Sequence, residues 1–303
     1  MEVIISKILM NTSYIHLKRE GHDPFIDFLK GICIFFVILN HCLPSEITAK
    51  TLFCLWGSTA VPLFLIIQVF HAYKKGIEKT NTNYKKIWNR IIKPFLLTES
   101  IIICLYFTKH VICGNTSTSQ FIETTILWGG IGPGCYYPWI YIQFAILLPL
   151  FAVIFRKVKG PKLLLLFIFL STIIEIVGAN IIPTRIYRLL FLRYLFLIYL
   201  GYILVVKGIK INIKTKLIAI IGMGATILFY YYDIYLYPFT YQKISICNWV
   251  CYLYIIFGFL GLLKQFYSHL TKNQFINNAL QWIGIHSYEI FLIQMLVFSI
   301  KDI

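Results

Sequence analysis

Apolar runs of about bilayer-spanning length fill most of this chain, and that feature leaves few folds open to it. Nine candidates are read from the sequence: Phe28–Leu43, Thr51–Tyr73, Pro94–Cys113, Tyr136–Phe155, Leu163–Ile182, Tyr187–Val206, Leu217–Tyr237, Asn248–Leu263 and Ile283–Ile300. A membrane-crossing helix needs about 20 predominantly apolar residues. The expected fold class is therefore all-α, a polytopic transmembrane helix bundle of about nine to ten spans. With 59% of its residues hydrophobic and only 13% charged, the chain is far from the composition of a soluble domain. No long hydrophilic segment and no clear repeat divides it, so residues 1–303 are expected to form a single integral membrane domain. Met1–Ser6 offers too short an apolar stretch for a cleavable signal peptide, and the first span is expected to serve as the targeting signal.

The formal net charge of +16 would suit a nucleic-acid binder only if the cations lined one face of a soluble fold. Here they lie between apolar runs. Lys74–Lys93 holds Lys74, Lys75, Lys79, Lys85, Lys86, Arg90 and Lys93 against the single acid Glu78, and Arg156 to Lys162 and Lys207 to Lys216 are also rich in basic residues. These connections alternate with poorer ones at Pro44–Lys50, Gly114–Cys135 and Asp233–Ile246. The positive-inside rule then places the first set and the N-terminus in the cytoplasm. Arg185, Arg188 and Arg193 break that pattern, because they fall on the expected outer side. They either anchor lipid headgroups or bind an anionic lipid or the pyrophosphate of a lipid-linked sugar. Eight cysteines are scattered, with only Cys247 and Cys251 close together and no histidine beside them, so no metal site is expected and the thiols read as buried and free.

The first span carries the most informative pair. Lys30 and His41 are eleven positions apart, about 20° around a helix axis and roughly 16 Å along it. They share a face, and ionisable residues within a span tend to line a cavity or meet a partner. The bland alternative is that Lys30 snorkels to headgroups and His41 ends the helix near Pro44.

In the context of that pair, the chain resembles the acyltransferase type-three membrane proteins. Members open with a helix bearing a basic residue, ten intervening positions and a histidine, which here reads Asp27-Phe28-Leu29-Lys30-Gly31 and then His41. Lys replaces the commoner Arg, keeping the charge but not the bidentate fork. The resemblance continues through Val61-Pro62-Leu63-Phe64-Leu65-Ile66-Ile67-Gln68, Arg90-Ile91-Ile92-Lys93-Pro94, Gly132-Pro133-Gly134-Cys135-Tyr136-Tyr137 with Gln143, and Trp282-Ile283-Gly284 with Ser287-Tyr288. Gln68-Val69-Phe70 stands where many members have Ser-Gly-Phe. Ile87 stands where an Arg-x-x-Arg pattern has its first arginine, leaving Lys85 or Lys86 to supply that charge.

What the resemblance implies is an inner-membrane enzyme of a bacterium that moves an acyl group, acetyl above all, from acyl-coenzyme A to a carbohydrate hydroxyl. Acetyl-CoA is then a co-substrate, with no tightly bound cofactor, and the other partners are a surface polysaccharide or lipid-linked glycan and membrane lipids. His41 is the expected catalytic residue, as base or acyl carrier, because a neutral imidazole accepts a hydroxyl proton during attack on a thioester. Lys30, Arg90 and Lys86 are expected to hold the donor's phosphates. Tyr136, Gln143, Glu175 and Arg193 are candidates for acceptor binding. Against that stand plainer readings: Tyr136, Tyr137 and Trp139 as an interfacial belt, Glu175 and Asn180 as a solvated helix end. The run Gly129–Gly134 lacks the strand and helix of a phosphate loop and is expected to be a flexible re-entrant or outer loop. Two other classes compete: a transporter or flippase, which often shows related halves that are not found here, and a non-catalytic scaffold, which gives Lys30 and His41 no reason to share a face.

Overall fold

The computed structural model describes residues 23–74, 76, 83–112, 114, 117–208, 212–232 and 249–302, and among these it is helical with no strand. Met1–Ser6, Thr80, Cys113, Cys247 and the connection Asp233–Ile246 lie outside the described residues.

The first helix, α1 (Pro24–Cys42), begins where its sequence says it should. The Asp23 carboxylate accepts hydrogen bonds from the Phe25 and Ile26 amides, and Pro24 occupies the first turn, where an amide proton is not needed. It ends at extended Leu43 just before Pro44. Short α2 (Ser45–Lys50) and α3 (Phe53–Trp56) follow, and α3 runs through a 3-10 turn into α4 (Ala60–Tyr73). Next come α5 (Tyr84–Ile87), a π-helical stretch Trp88–Ile92 and α6 (Lys93–Phe107), together one long helix; α7 (Thr118–Trp128) is short. Then follow α8 (Tyr136–Lys157), α9 (Pro161–Ile181), α10 (Thr184–Arg188), α11 (Leu195–Lys207) and α12 (Ile213–Tyr232). The chain closes with α13 (Trp249–Tyr254), α14 (Leu260–Leu270), α15 (Gln274–Ile285) and α16 (Ser287–Asp302).

Among the described residues, seven helices are long and apolar enough to cross a membrane: Pro24–Cys42, Phe53–Tyr73, Tyr84–Ile112, Tyr136–Lys157, Pro161–Gly178, Ile213–Tyr230 and Trp249–Leu270. An eighth crossing is made if α15 and α16, bent by 73° at His286, count as one broken span. The chain is thus an all-α, multi-pass membrane bundle. The expected span Tyr187–Val206 fails, and the expected span Ile283–Ile300 is interrupted by the bend at His286. Residues 184–188 and 191–194 form separate short turns, and α11 keeps only 13 residues. The cause is a pin from another helix: Gln143 of α8 donates to the Leu189 carbonyl (2.7 Å) and accepts from the Phe191 amide (3.0 Å), holding the chain non-helical between them. The basic segment Lys74–Lys93 also differs from a plain loop, since Lys85, Lys86, Arg90 and Lys93 lie on the helix that starts at Tyr84.

Helix α9 shows what orients these elements. Leu163, Phe167, Ser171, Glu175 and Gly178 recur every three or four residues and are buried, whereas Leu165, Phe169, Ile173 and Val177 form an exposed stripe. Both faces are apolar, so water does not choose between them; close packing and internal polar bonds do. The buried face is the one with a Ser, a Glu and a Gly. Inside the bundle, α11 is enclosed from Leu195 to Gly201, and Gly201 meets Val69 of α4. Buried polar side chains bond to backbone across helices: Tyr73 donates to the Leu148 carbonyl (2.7 Å) and Gln68 to that of Tyr141 (2.8 Å), ties that a lipid-immersed bundle needs because water is not there to supply them. Of the cysteines, Cys33, Cys54, Cys135 and Cys251 are buried as expected, but Cys42 and Cys104 are exposed.

The tightest crossing is between α1 and α15. A Cβ on Gly284 would overlap the Asp27 carbonyl, and one on Gly31 the Leu280 carbonyl, so the two backbones touch. That contact clamps the end of α1 that carries Lys30.

Candidate active site

Helix α1 is unbroken from Pro24 to Cys42, so Lys30 and His41 keep the shared face and roughly 16 Å separation that their spacing implies. Lys30 donates to the Asp27 carboxylate at 3.0 Å. Asp27 is itself buried, while the Lys30 side chain keeps 23% of its exposure. Part of the lysine charge is therefore answered before any ligand arrives. At the opposite end of α1, His41 is exposed, and its ring lies 5.6 Å from that of Phe298 on α16.

Arg90 and Lys86 are exposed on the first turns of the long helix α5–α6. The Tyr288 hydroxyl donates to the Ile91 carbonyl (2.7 Å), tying α16 to the turn that bears Arg90. The Tyr137 ring lies 6.3 Å from that of Tyr141 and 5.7 Å from that of Phe291, which stacks on Tyr288 at 6.1 Å. Gly284, four residues before Tyr288, abuts the Asp27 carbonyl one turn from Lys30. The α15–α16 segment thus joins the turn that bears Arg90 to the stretch of α1 that bears Lys30.

The four acceptor-site candidates lie on α8, on α9 and in the segment that follows α10, which Gln143 holds. Gln143 is occupied in pinning residues 189–191. Glu175 accepts from the Trp249 amide (2.8 Å) at the start of α13, so it is a helix-end bond rather than a solvated carboxylate. Arg193 is buried, with its guanidinium 5.7 Å from the Tyr194 ring. Tyr136 begins α8 with the guanidinium of Arg188 stacked 3.9 Å from its ring centroid.

The Gly129–Gly134 run is packed, which corrects the expectation of a flexible loop. Gly129, Gly130, Gly132 and Gly134 all have positive φ, between 72° and 131°, a path that side-chain-bearing residues rarely follow. The space where their side chains would lie is taken by Leu189, Glu99, Ser299 and Phe291 respectively. Both oxygens of Glu99 accept from the Ile131 amide, at 3.1 and 3.2 Å, and Gln294 donates to the Pro133 carbonyl at 3.4 Å. Ser299 follows Phe298, the His41 neighbour, so the loop is wedged between α6 and α16 close to the turn that meets the imidazole.

Glu99 is the residue of this region that the motifs do not single out. A carboxylate within an apolar span is costly and is by default a functional signal, and by that test Glu99 stands out in Pro94–Cys113. Beside it, burial first and the Glu99 charge second push the Cys135 thiol up to about 12. A thiol so held stays protonated at neutral pH and is no acyl-accepting nucleophile.

No curated protein and no solved structure gives a significant match to the chain. The family model described as an acyltransferase domain matches residues 23–300, which takes in α1, the glycine loop and α16. The chain belongs to this family of acyltransferases, as the order of its motifs from Lys30 and His41 through Tyr288 implies.

Proposed function

We propose that the protein transfers acetyl from acetyl-CoA to a hydroxyl of a surface polysaccharide or a lipid-linked glycan, with His41 as the general base, in the inner membrane of a bacterium with the N-terminus in the cytoplasm. The observation that carries this reading is the geometry of α1. One unbroken helix holds a cation at one end and an imidazole at the other, on one face, and the cation end is joined through α15 and Tyr288 to the turn that bears Arg90. Coenzyme A is a polyanion on a long arm; cations at its phosphate end and a base about 16 Å further on suit its length and charge. Lys30, Arg90 and Lys86 hold the phosphates, and the thioester reaches towards His41.

In this reading the acceptor hydroxyl attacks the thioester carbonyl as its proton passes to the neutral His41 ring. The tetrahedral oxyanion then collapses, expelling the coenzyme A thiolate, which takes a proton. The ester on the sugar and the free thiol are the products. Glu99 positions the loop that abuts α16 and stays out of the proton transfer.

The test is a comparison of surface glycan, by mass spectrometry, from cells with and without the protein. The glycan is expected to lose one acetyl group per modified sugar in its absence. Identical glycan masses in the two strains, with the protein well expressed in one, would refute the reading.

A further inference from the structure

Two arginines of α10 have no place in the donor site. We propose that Arg185 and Arg188, with Trp128 and Tyr136, form a pyrophosphate-binding subsite that receives the diphosphate of a lipid-linked glycan acceptor. This deepens the acetyltransferase reading above and rests on it.

Four observations support the subsite. The first is geometric: the Arg185 guanidinium lies 4.8 Å from the Trp128 ring centroid and that of Arg188 lies 3.9 Å from the Tyr136 centroid. Cation–π stacking uses the face of a guanidinium and leaves its in-plane N–H groups pointing outwards. Each guanidinium is thus held over a ring, and guanidinium forks bind phosphate oxygens in pairs.

The second is the absence of a partner. Among the described residues, no ion pair joins Arg185 or Arg188 to a carboxylate. Buried Arg193 has other contacts and does not belong to the pair. The third is spacing. Positions 185 and 188 are three apart on a single helical turn, which sets their Cβ atoms about 5–6 Å from one another. Two adjacent forks suit two adjacent phosphates better than one.

The fourth is position. Trp128 and Tyr136 flank the packed glycine loop on its two sides, and the Cys135 thiol responds to Arg188 as well as to Glu99. The arginines thus stand at the loop that reaches α16 and the His41 neighbour. They also lie at the end of α9 opposite the basic connection Arg156–Lys162, where positive charge has no topological use. A lipid diphosphate held there would keep its prenyl chain in the bilayer and its sugar beside exposed Trp128 and Trp139, whose rings suit a sugar face.

The experiment uses the full-length protein in phosphatidylcholine nanodiscs with a radiolabelled polyprenyl pyrophosphate as probe. Wild type, Arg185→Gln, Arg188→Gln and the double variant are compared, each with its thermal stability recorded. Each single substitution is expected to weaken binding on the order of 10- to 150-fold, the range of a lost charge-assisted contact. Arg188→Lys is expected to fall between, since it keeps the charge and loses the fork. Phosphatidylglycerol in excess is expected not to displace the probe, and the affinity for coenzyme A is expected to stay unchanged. Unaltered probe binding in the folded variants would overturn the subsite. So would displacement by phosphatidylglycerol, which means headgroup anchoring, or a parallel loss of coenzyme A affinity, which means the donor's pyrophosphate. His41-dependent transfer of acetyl to a soluble glycan fragment separates the two claims: it persists if only the subsite is wrong and is absent if the acetyltransferase reading is wrong.

Discussion

A base is useful only while it is unprotonated, so the role given to His41 has a measurable pH dependence. Acetyl transfer is expected to fall as the medium is acidified through the range in which an imidazole gains its proton. His41→Ala is expected to lower turnover by about two to four orders of magnitude while leaving membrane insertion and donor affinity nearly intact. Near-normal turnover in a well-expressed variant would remove His41 from the chemistry. Lys30 poses a different question, because it arrives already paired with buried Asp27. Lys30→Gln is expected to raise the apparent requirement for acetyl-CoA about 10- to 150-fold, and Arg90→Gln likewise. Lys30→Arg is expected to be tolerated. Titration of the purified variants in one detergent checks all three, and unchanged donor affinity in both neutral variants would return these cations to topology alone. The spacing of Lys30 and His41 was plain in the sequence, and the Asp27 pairing was equally local, three residues away.

At the scale of elements, backbone contact between α1 and α15 makes a sharper prediction than side-chain packing would. A Cβ at Gly284 has no space beside the Asp27 carbonyl, so Gly284→Ala is expected to destabilise the protein by about 1–3 kcal/mol, the usual cost of overpacking. Thermal unfolding in detergent measures it; an unchanged midpoint would mean the helices cross further apart than described. Glu99→Ala leaves the Ile131 amide without its carboxylate and is expected to cost about 1–3 kcal/mol, with the loop becoming open to proteolysis or thiol labelling. These elements also show where sequence pattern stops. Helix α1 could be read because its cap, its proline and its apolar run are adjacent. The break in Tyr187–Val206 could not, because the run is apolar throughout and the group that holds it open, Gln143, is more than forty residues away. The glycine loop is intermediate: its four positive-φ glycines announce an unusual path, but the side chains filling their space come from α6, α16 and Leu189 just beyond α10.

For the whole molecule, the account requires that the basic connections share one side of the membrane. With native cysteines removed, Thr80→Cys is expected to resist an impermeant thiol reagent added to intact cells, and Ser117→Cys to react. Ready labelling at position 80 would reverse the orientation and put His41 towards the cytoplasm. Composition alone disclosed the membrane and the helices, because so few charges permit no other solvent. It did not disclose which faces pair, since apart from Ser171 and Glu175 the buried stripe of α9 is as apolar as the exposed one, nor that Gln143 is engaged in holding the segment that follows α10. The central claim is that this one bundle carries acetyl from a thioester to a sugar through His41. It is tested most directly with purified protein in proteoliposomes, acetyl-CoA labelled in the acetyl group, and a glycan acceptor. Wild type is expected to label the glycan and release coenzyme A in equal amount, with His41→Ala, present at the same level and equally stable, doing neither. Labelling that is the same in both, or glycan that stays unlabelled by wild type while acetyl-CoA binds, would contradict the account.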